Sequence, residues 1–372
     1  MTLTINDIAD VINISVSNPA ESGYDVFVGL EHYDIGEPVI TRYGSTKMLT
    51  TACKKFSAGD ILLARRNVYL RRAGIVEFDG LTSGDSIVIR VKTNLSIEGV
   101  DSNAISRLLP FILNTNAFWD FANTNSDGTM SKRLSPQMLL SYEFELPPVA
   151  QQRPLADKLW AAYKLKASKL KLIEAIDEMV KSQFIEMFKD SPKTKLSDFC
   201  ELKARIGWQG LKHEEFLDEG DYFLVTGVDF DEHAINWAKC HYVTKDRYDQ
   251  DPYIQLHNGD VLVTKDGTIG KVALVTCLNM PATLNSGVFV LRDKKNLTLN
   301  RFLFYCLLSR DFEQFIEDCK TGSTIAHLNQ KAFVNYLIPT PDIKLQQRFV
   351  SIAEQADKSK SVCRQAIKRL VS

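Results

Sequence analysis

Long apolar runs are missing from this sequence. Nothing approaches the roughly 18 consecutive apolar residues that a membrane span needs, and the opening Met1-Thr2-Leu3-Thr4-Ile5-Asn6-Asp7 lacks the basic and apolar regions of a signal peptide. A cytoplasmic protein without a membrane partner is expected. Cysteines are few and scattered: Cys53, Cys200, Cys240, Cys277, Cys306, Cys319 and Cys363 are odd in number, and no two stand at C-x-x-C spacing. That pattern excludes the usual zinc-ribbon and dithiol signatures and predicts free thiols. An excess of one charge is absent too, since 45 Lys and Arg face 46 Asp and Glu. Wholesale coating by nucleic acid is therefore not indicated, and only a local basic face could serve that purpose.

Catalytic signatures are equally sparse. Asp251-Pro252-Tyr253 comes nearest to the Asn/Asp-Pro-Pro-aromatic loop of base methyltransferases, but it has neither the second proline nor a preceding apolar strand, and no Gly-rich cofactor turn accompanies it. The stretch Lys265-Asp266-Gly267-Thr268-Ile269-Gly270-Lys271 looks like a phosphate-binding loop. Yet Lys265 replaces its first glycine and Val272 its final hydroxyl. Asp260 with Lys265 and Asp266 is the best candidate for a magnesium site, and Asp60 repeats it without the rest, which suits a turn better. No His or Cys cluster has zinc spacing. Catalytic residues, metal and bound cofactor are all expected to be absent.

What the chain has is an internal repeat. Its length of 372 residues suits about two domains, and ordered correspondences run through both halves. Ile5 and Asp7 match Leu196 and Asp198, and Val28-Gly29-Leu30-Glu31 answers Thr226-Gly227-Val228-Asp229. Phe56-Ser57-Ala58-Gly59-Asp60-Ile61-Leu62-Leu63 pairs with Leu256-His257-Asn258-Gly259-Asp260-Val261-Leu262-Val263. Each of those reads as a Gly-Asp turn followed by a buried strand. Ser83-Gly84 before Ile87-Val88-Ile89-Arg90 echoes Ser286-Gly287 before Phe289-Val290-Leu291-Arg292. An amphipathic helix follows in each half, over Arg107 to Asn123 and Arg301 to Lys320, with Phe111, Phe118 and Phe121 matching Tyr305, Phe312 and Phe315. Then come a polar loop (residues 127–134 and 321–328), a Pro-bearing strand end (Leu146-Pro147-Pro148 and Ile338-Pro339-Thr340-Pro341), and Gln151-Gln152-Arg153 set against Gln346-Gln347-Arg348.

Behind each Gln-Gln-Arg runs a long helical pattern without glycine. Leu155, Leu159, Ala162, Leu165, Leu170, Ile173, Ile176, Val180, Phe184 and Met187 mark the first apolar stripe; Phe349, Ile352, Ala353, Ala356, Val362, Ala366, Ile367 and Leu370 mark the second. An apolar stripe needs a partner, and each helix can cover the other. The predicted fold is α+β: two pseudo-repeated α/β lobes separated by two long helices packed as an antiparallel coiled coil. The segments are 1–148, 149–190, 191–343 and 344–372.

This order, given twice in one chain, resembles the specificity subunit of type I restriction-modification systems from end to end. Leu262 to Lys271, Gly322-Ser323-Thr324, Leu146 to Arg153 and Lys181-Ser182-Gln183-Phe184 carry the resemblance. The family implies that each lobe is a target-recognition domain for half of a split site in double-stranded DNA, and that the helices set the spacer. It further implies two docked methyltransferase subunits, restriction and translocase subunits joining through the complex, and S-adenosylmethionine only in the partner methyltransferase. A specificity subunit of a related restriction system is the nearest alternative, and a coiled-coil scaffold without DNA binding is the remaining one.

Charge distribution supplies the candidate contacts. Between residues 42 and 72 stand Arg42, Lys47, Lys54, Lys55, Arg65, Arg66, Arg71 and Arg72 against the single acid Asp60, the local basic footprint that the net charge conceals. Arg65, Arg66, Asn67, Arg71 and Arg72 follow the Gly-Asp strand, where they can reach phosphates or a guanine edge. In the second half Lys265, Thr268 and Lys271 hold the equivalent loop. The polar loops add Lys132 and Arg133 in one half and Ser323, Thr324 and His327 in the other. Trp119, Trp208 and Trp237 are read as core, because duplex readers work through groove edges.

Overall fold

The computed structural model describes residues 1–129, 131–206, 210–320 and 327–371. It divides into two compact units, Met1–Lys166 and Ala167–Ser372. That division falls inside one continuous 40-residue helix, Val149–Phe188, which at 1.5 Å per residue is about 60 Å long.

In the first unit, Thr4 caps a helical turn at Ile5–Ile8 by accepting from the Asp7 amide at 3.3 Å while the Asp7 carboxylate accepts from the Thr4 amide at 2.7 Å. This reciprocal box stops the turn from unwinding. It feeds a four-stranded antiparallel sheet ordered Ala9–Ile12, Ser86–Val91, Ile61–Ala64, Ala73–Ile75. Alternation sets what each face covers. Ile61, Leu63, Ile87 and Ile89 join the helical core of Leu108, Phe118 and Trp119. Leu62, Ala64 and Val88 face the other way, into a core with Val28, Phe56 and Val76. A five-stranded sheet closes that second face, and within it Val26–Val28 runs parallel to Gly80–Thr82.

The second unit repeats this plan. Its sheet is ordered Cys200–Lys203, Val288–Asp293, Val261–Thr264, Val272–Leu274. Val261, Val263, Phe289 and Leu291 face the helical side, and Leu262, Val288 and Val290 face the other. The parallel pair recurs as Phe223–Val225 with Ala282–Leu284. A two-stranded ribbon closes each unit, Thr2–Thr4 with Glu143–Glu145 and Lys193–Lys195 with Leu337–Pro339. Both Gly-Asp turns need glycine, at φ +91° for Gly59 and +96° for Gly259. Both aspartates are buried and held by an arginine of the adjacent strand: Arg90 Nε meets Asp60 at 2.6 Å, and Arg292 Nη2 meets Asp260 at 2.5 Å.

Two details depart from the sequence expectations. Each expected amphipathic helix is a pair, Ser102–Ile112 with Asn116–Thr124 and Asn300–Cys306 with Arg310–Lys320. Thr115 and Ser309 start the second member of each pair, their hydroxyls accepting from the amides of Phe118 at 3.2 Å and Phe312 at 3.4 Å. The Gln-Gln-Arg motifs also sit one residue out of register. Gln152 and Gln346 are the buried equivalents, while Gln151 and Gln347 are exposed. The Gln152 amide donates to Gly99 O and Pro147 O and accepts from the Asp101 amide; Gln346 donates to Leu297 O and Pro341 O and accepts from the Leu299 amide. Each glutamine fastens the start of its long helix to two loops of its lobe.

From Ala167 onward the central helix packs antiparallel on the C-terminal helix Ile343–Val371. Asp177 pairs with Lys360 at 2.6 Å, whereas further along, Phe184 and Phe188 both meet Phe349 at ring separations of 5.4 Å. Burial pushes the Lys360 ammonium down, but its bonds to Asp177 and Asp357 outweigh that and raise it. Within the first unit the same helix lies on its own lobe, where the Trp160 indole donates to Arg107 O at 3.0 Å. Among the described residues no helix is long and apolar enough to cross a membrane.

Candidate nucleic-acid interface

In the first unit the strand Ile61–Ala64 delivers the chain to Arg65, whose amide donates to Asp85 O at 2.9 Å and whose carbonyl accepts from the Leu134 amide at 2.9 Å. Three loops are thereby tied at one sheet edge. Arg66 and Arg133 form a β-bridge there, and the Asn67 amide donates to Lys132 O at 2.8 Å. The charged groups converge as well. Arg66 Nη1 and Arg133 Nη2 lie 3.5 Å and 3.3 Å from the Asp85 carboxylate, and each guanidinium remains about half exposed. Arg66 also donates to Ser131 Oγ at 3.0 Å.

Lys54 reaches the same edge from the neighbouring sheet, its ammonium donating to Ser86 O at 2.8 Å. Burial, with the Arg65 charge added, pushes it below the usual lysine range. The Nε atoms of Arg65 and Arg72 are buried and meet no acceptor among the described residues. Arg65, Arg66, Asn67, Lys132, Arg133 and Lys54 thus share one edge, where the Asp85 carboxylate is the acid that Arg66 and Arg133 both meet. A field of that sign, with donors to spare, suits a phosphate backbone.

The second unit builds the matching edge from different side chains. The Lys265 amide donates to Gly287 O, the Leu328 amide to Lys265 O, and Asp266 bridges His327, reproducing the bonds of Arg65, Leu134, Arg66 and Arg133. The His327 ring pairs with the Asp266 carboxylate. Thr268 and Lys271 are exposed on the following loop, which closes through Thr264 Oγ1 donating to Thr268 O at 2.6 Å and accepting from the Lys271 amide at 2.9 Å. Gly270, at φ +81°, has no room for a Cβ, which would stand 2.7 Å from Ile316. Lys265 lies over the Phe289 ring at 5.4 Å. Ser323 and Thr324 lie outside the described residues, as does Trp208.

Of the other candidates, Arg42 and Lys55 stand apart from this edge, while Arg72 Nη2 donates to Arg66 O at 3.1 Å. Arg42 pairs with Asp34 at 2.8 Å, and Lys55 sits over the Tyr24 ring at 5.2 Å, where that contact raises its ammonium. Arg72 donates to Leu30 O at 2.9 Å, and burial lowers its guanidinium. Arg71 donates to Asn116 Oδ1 at 2.7 Å from the loop beyond Asn67. Asp85, Ser131 and Asp266 are the members that charge counting passes over. The lone acid beside Ser83-Gly84, two strands from the basic run, was the available signal for Asp85. Trp119 is buried, and Trp237 packs half-buried against the core with its indole donating to Thr276 O at 2.9 Å. No group of three His, Cys, Asp or Glu among the described residues is placed to hold a metal ion.

Residues 189–370 match the family model described as "Type I restriction modification DNA specificity domain". A Methanocaldococcus jannaschii protein, the type I restriction enzyme MjaVIII specificity subunit, is 23% identical over 260 residues, 64% of this chain and 60% of that protein. The Escherichia coli EcoR124I/EcoR124II specificity subunit is 28% identical over 100 residues, 27% of this chain and 24% of that one. The alignments thus span less than two thirds of either relative. Among solved structures, the type I restriction-modification S subunit from M. genitalium superposes with a TM-score of 0.57 at 13% identity, covering 100% of this chain and 92% of that chain. A chain from a structure of type I restriction-modification complex assembly gives 0.55 at 16% identity, covering 100% and 94%. At these identities the likeness establishes the fold.

Proposed function

We propose that this chain, whose residues 189–370 match the type I restriction-modification DNA specificity domain, supplies sequence recognition and performs no chemical step itself. Each unit reads one half of a bipartite target in double-stranded DNA, and the central helix, continuous through both, sets the spacer. Two methyltransferase subunits dock on the helices and bring S-adenosylmethionine with them; restriction and translocase subunits join through that complex.

The observation that carries this reading is the edge built twice from the same backbone bonds. In the first unit it gathers Arg65, Arg66, Lys132 and Arg133, two of whose guanidinium groups meet Asp85. Guanidinium groups held by backbone anchors and left half exposed can neutralise phosphates and reach a guanine edge. The second edge offers Lys265, Asp266 and His327 in the same frame, so the two halves address different base sequences.

Methylation mapping of the host genome with and without this chain tests the proposal. A split methylated motif that disappears on deletion is the expected result, and an unchanged methylome refutes it. A salt titration of duplex binding by the assembled complex should give a log-log slope of about −0.9 per phosphate neutralised. Replacing Arg66 and Arg133 by Gln should flatten that slope by about 2. A slope that both replacements leave untouched removes this edge from the interface.

A further inference from the structure

The loop that follows the first edge is built differently from its counterpart. Between the fixed points Asn67 and Arg72 the first unit inserts Val68-Tyr69-Leu70-Arg71, whereas between Gly267 and Lys271 the second has only Thr268-Ile269-Gly270. Those fixed points are set by hydrogen bonds: the Ala64 amide donates to Arg72 O at 3.0 Å and the Thr264 amide to Lys271 O at 2.9 Å. One extra residue must therefore be accommodated in the same gap. The buried residue of each loop is Val68 in one and Ile269 in the other, so the first loop lacks a counterpart of Thr268 and adds Tyr69-Leu70 after its buried residue.

Left-handed backbone brackets this insertion. Asn67 has φ +54° and Arg71 φ +51°, and the equivalent positions in the second unit are glycines, at +70° for Gly267 and +81° for Gly270. Where glycine adopts that conformation freely, a residue with a Cβ adopts it at a cost. Local strain of this kind is retained where the structure around it enforces a geometry, and its common setting is a binding site. Here the enforced geometry is a short 3-10 turn, Val68–Leu70, which buries Val68 and leaves Tyr69 59% exposed at its tip. The turn starts at Asn67, whose side-chain carbonyl accepts from Ser131 Oγ at 3.2 Å and whose amide meets Lys132 O. It ends at Arg71 and Arg72. An amphipathic ring is therefore presented beside the basic edge, with cations on both sides and its apolar face in water.

We propose that Tyr69 is a base-contacting, specificity-determining residue of the first lobe, its ring pressed on base edges in the major groove of duplex DNA. The proposal rests on the DNA-recognition reading above. The half-exposed Arg66 and Arg71 on either side hold phosphates and fix the register, and the ring then meets the apolar surface that base edges offer, the thymine methyl above all. In the second lobe the same turn is shorter and its apolar residue, Ile269, points inward, so no such contact is available there.

The test uses the assembled modification complex and duplexes carrying the motif defined by methylation mapping, with each base pair of both half-sites exchanged in turn and each thymine replaced by uracil. Tyr69→Ala should lower discrimination about tenfold at one or two adjacent positions of one half-site, with the other half-site profile unchanged. Tyr69→Phe should retain the wild-type profile, and the uracil duplex at the affected position should reproduce the loss with wild-type protein. A Tyr69→Ala profile that superimposes on wild type overturns the proposal, as does an affinity loss equal on every duplex. If the wild-type complex fails to prefer its motif over a scrambled duplex, the DNA-recognition reading itself falls.

Discussion

Replacing Gln346 by alanine should cost far more stability than the same change at its neighbour Gln347. The Gln346 side chain is fully buried, donates to Leu297 O and Pro341 O at 2.9 Å each, and accepts from the Leu299 amide at 2.9 Å and Thr298 Oγ1 at 3.2 Å. Alanine supplies none of these bonds and leaves three backbone groups without a partner. At a net ~1 kcal/mol per bond, the loss amounts to ~3–4 kcal/mol. For a unit of ~200 residues that lowers the melting temperature by ~10 °C. Gln347 is exposed, and its replacement should stay within ~0.5 kcal/mol of wild type. Differential scanning calorimetry is the assay, since the two units give separate transitions if they unfold separately, and only the second should move. Gln152→Ala should do the same to the first. A Gln346→Ala transition within ~1 kcal/mol of wild type, or an equal loss from Gln347→Ala, would show that the glutamine tether and the register assigned to it are wrong.

Arg292→Met should destabilise the second unit by ~2–3 kcal/mol, because it strands the buried Asp260 carboxylate without its two guanidinium bonds; denaturant unfolding measures this, and a change under ~0.5 kcal/mol contradicts it. The Arg153 guanidinium, together with the Ala104 and Asn103 amides, holds the Asp101 carboxyl below its usual range against the opposing effect of burial. A depressed folded pKa gives stability that is full above the unfolded value of ~4 and drains as pH falls through the folded one. Asp101→Asn should therefore melt lower than wild type at pH 7, with the gap closing on acidification; a gap that widens toward low pH reverses the assigned sign.

Most of the architecture was legible in the sequence because duplication doubles every local signal. Gly-Asp before a β-branched run is weak once, but Gly59-Asp60 and Gly259-Asp260, each with an arginine about 30 residues on, mark the same turn and strand. The long helices were legible from apolar stripes that end at Met187 and begin at Phe349, just inside the helix ends at Phe188 and Ile343. Helix breaks were not. Phe111 and Phe118 keep helical spacing straight through the Thr115 cap, so periodicity joined what a hydroxyl divides. Register failed at Gln-Gln-Arg for a related reason: identical letters aligned more attractively than the position that is buried. The basic edge was legible only in part, because Arg42, Lys55 and Arg72 carry the same charge as Arg66 and Arg133 but spend it on Asp34, Tyr24 and Leu30 O.

The two edges also explain how one frame accommodates different chemistry. The bonds that the two edges share are backbone to backbone: residue 65 to 85 and 134 in one unit, 265 to 287 and 328 in the other. Amides and carbonyls are common to all residues except proline, which lacks the donor, so side chains at these positions can change without moving the strands. They have changed. Arg66 and Arg133 around Asp85 become Asp266 and His327 beside Gly287, which replaces a cationic edge by a carboxylate-imidazole pair able to accept as well as donate. A carboxylate is the acceptor that suits the amino group of cytosine, and a guanidinium is the donor that suits guanine. Two lobes of one fold therefore present unlike edges on matched backbone bonds, and under the proposed reading an asymmetric split target follows from those side chains.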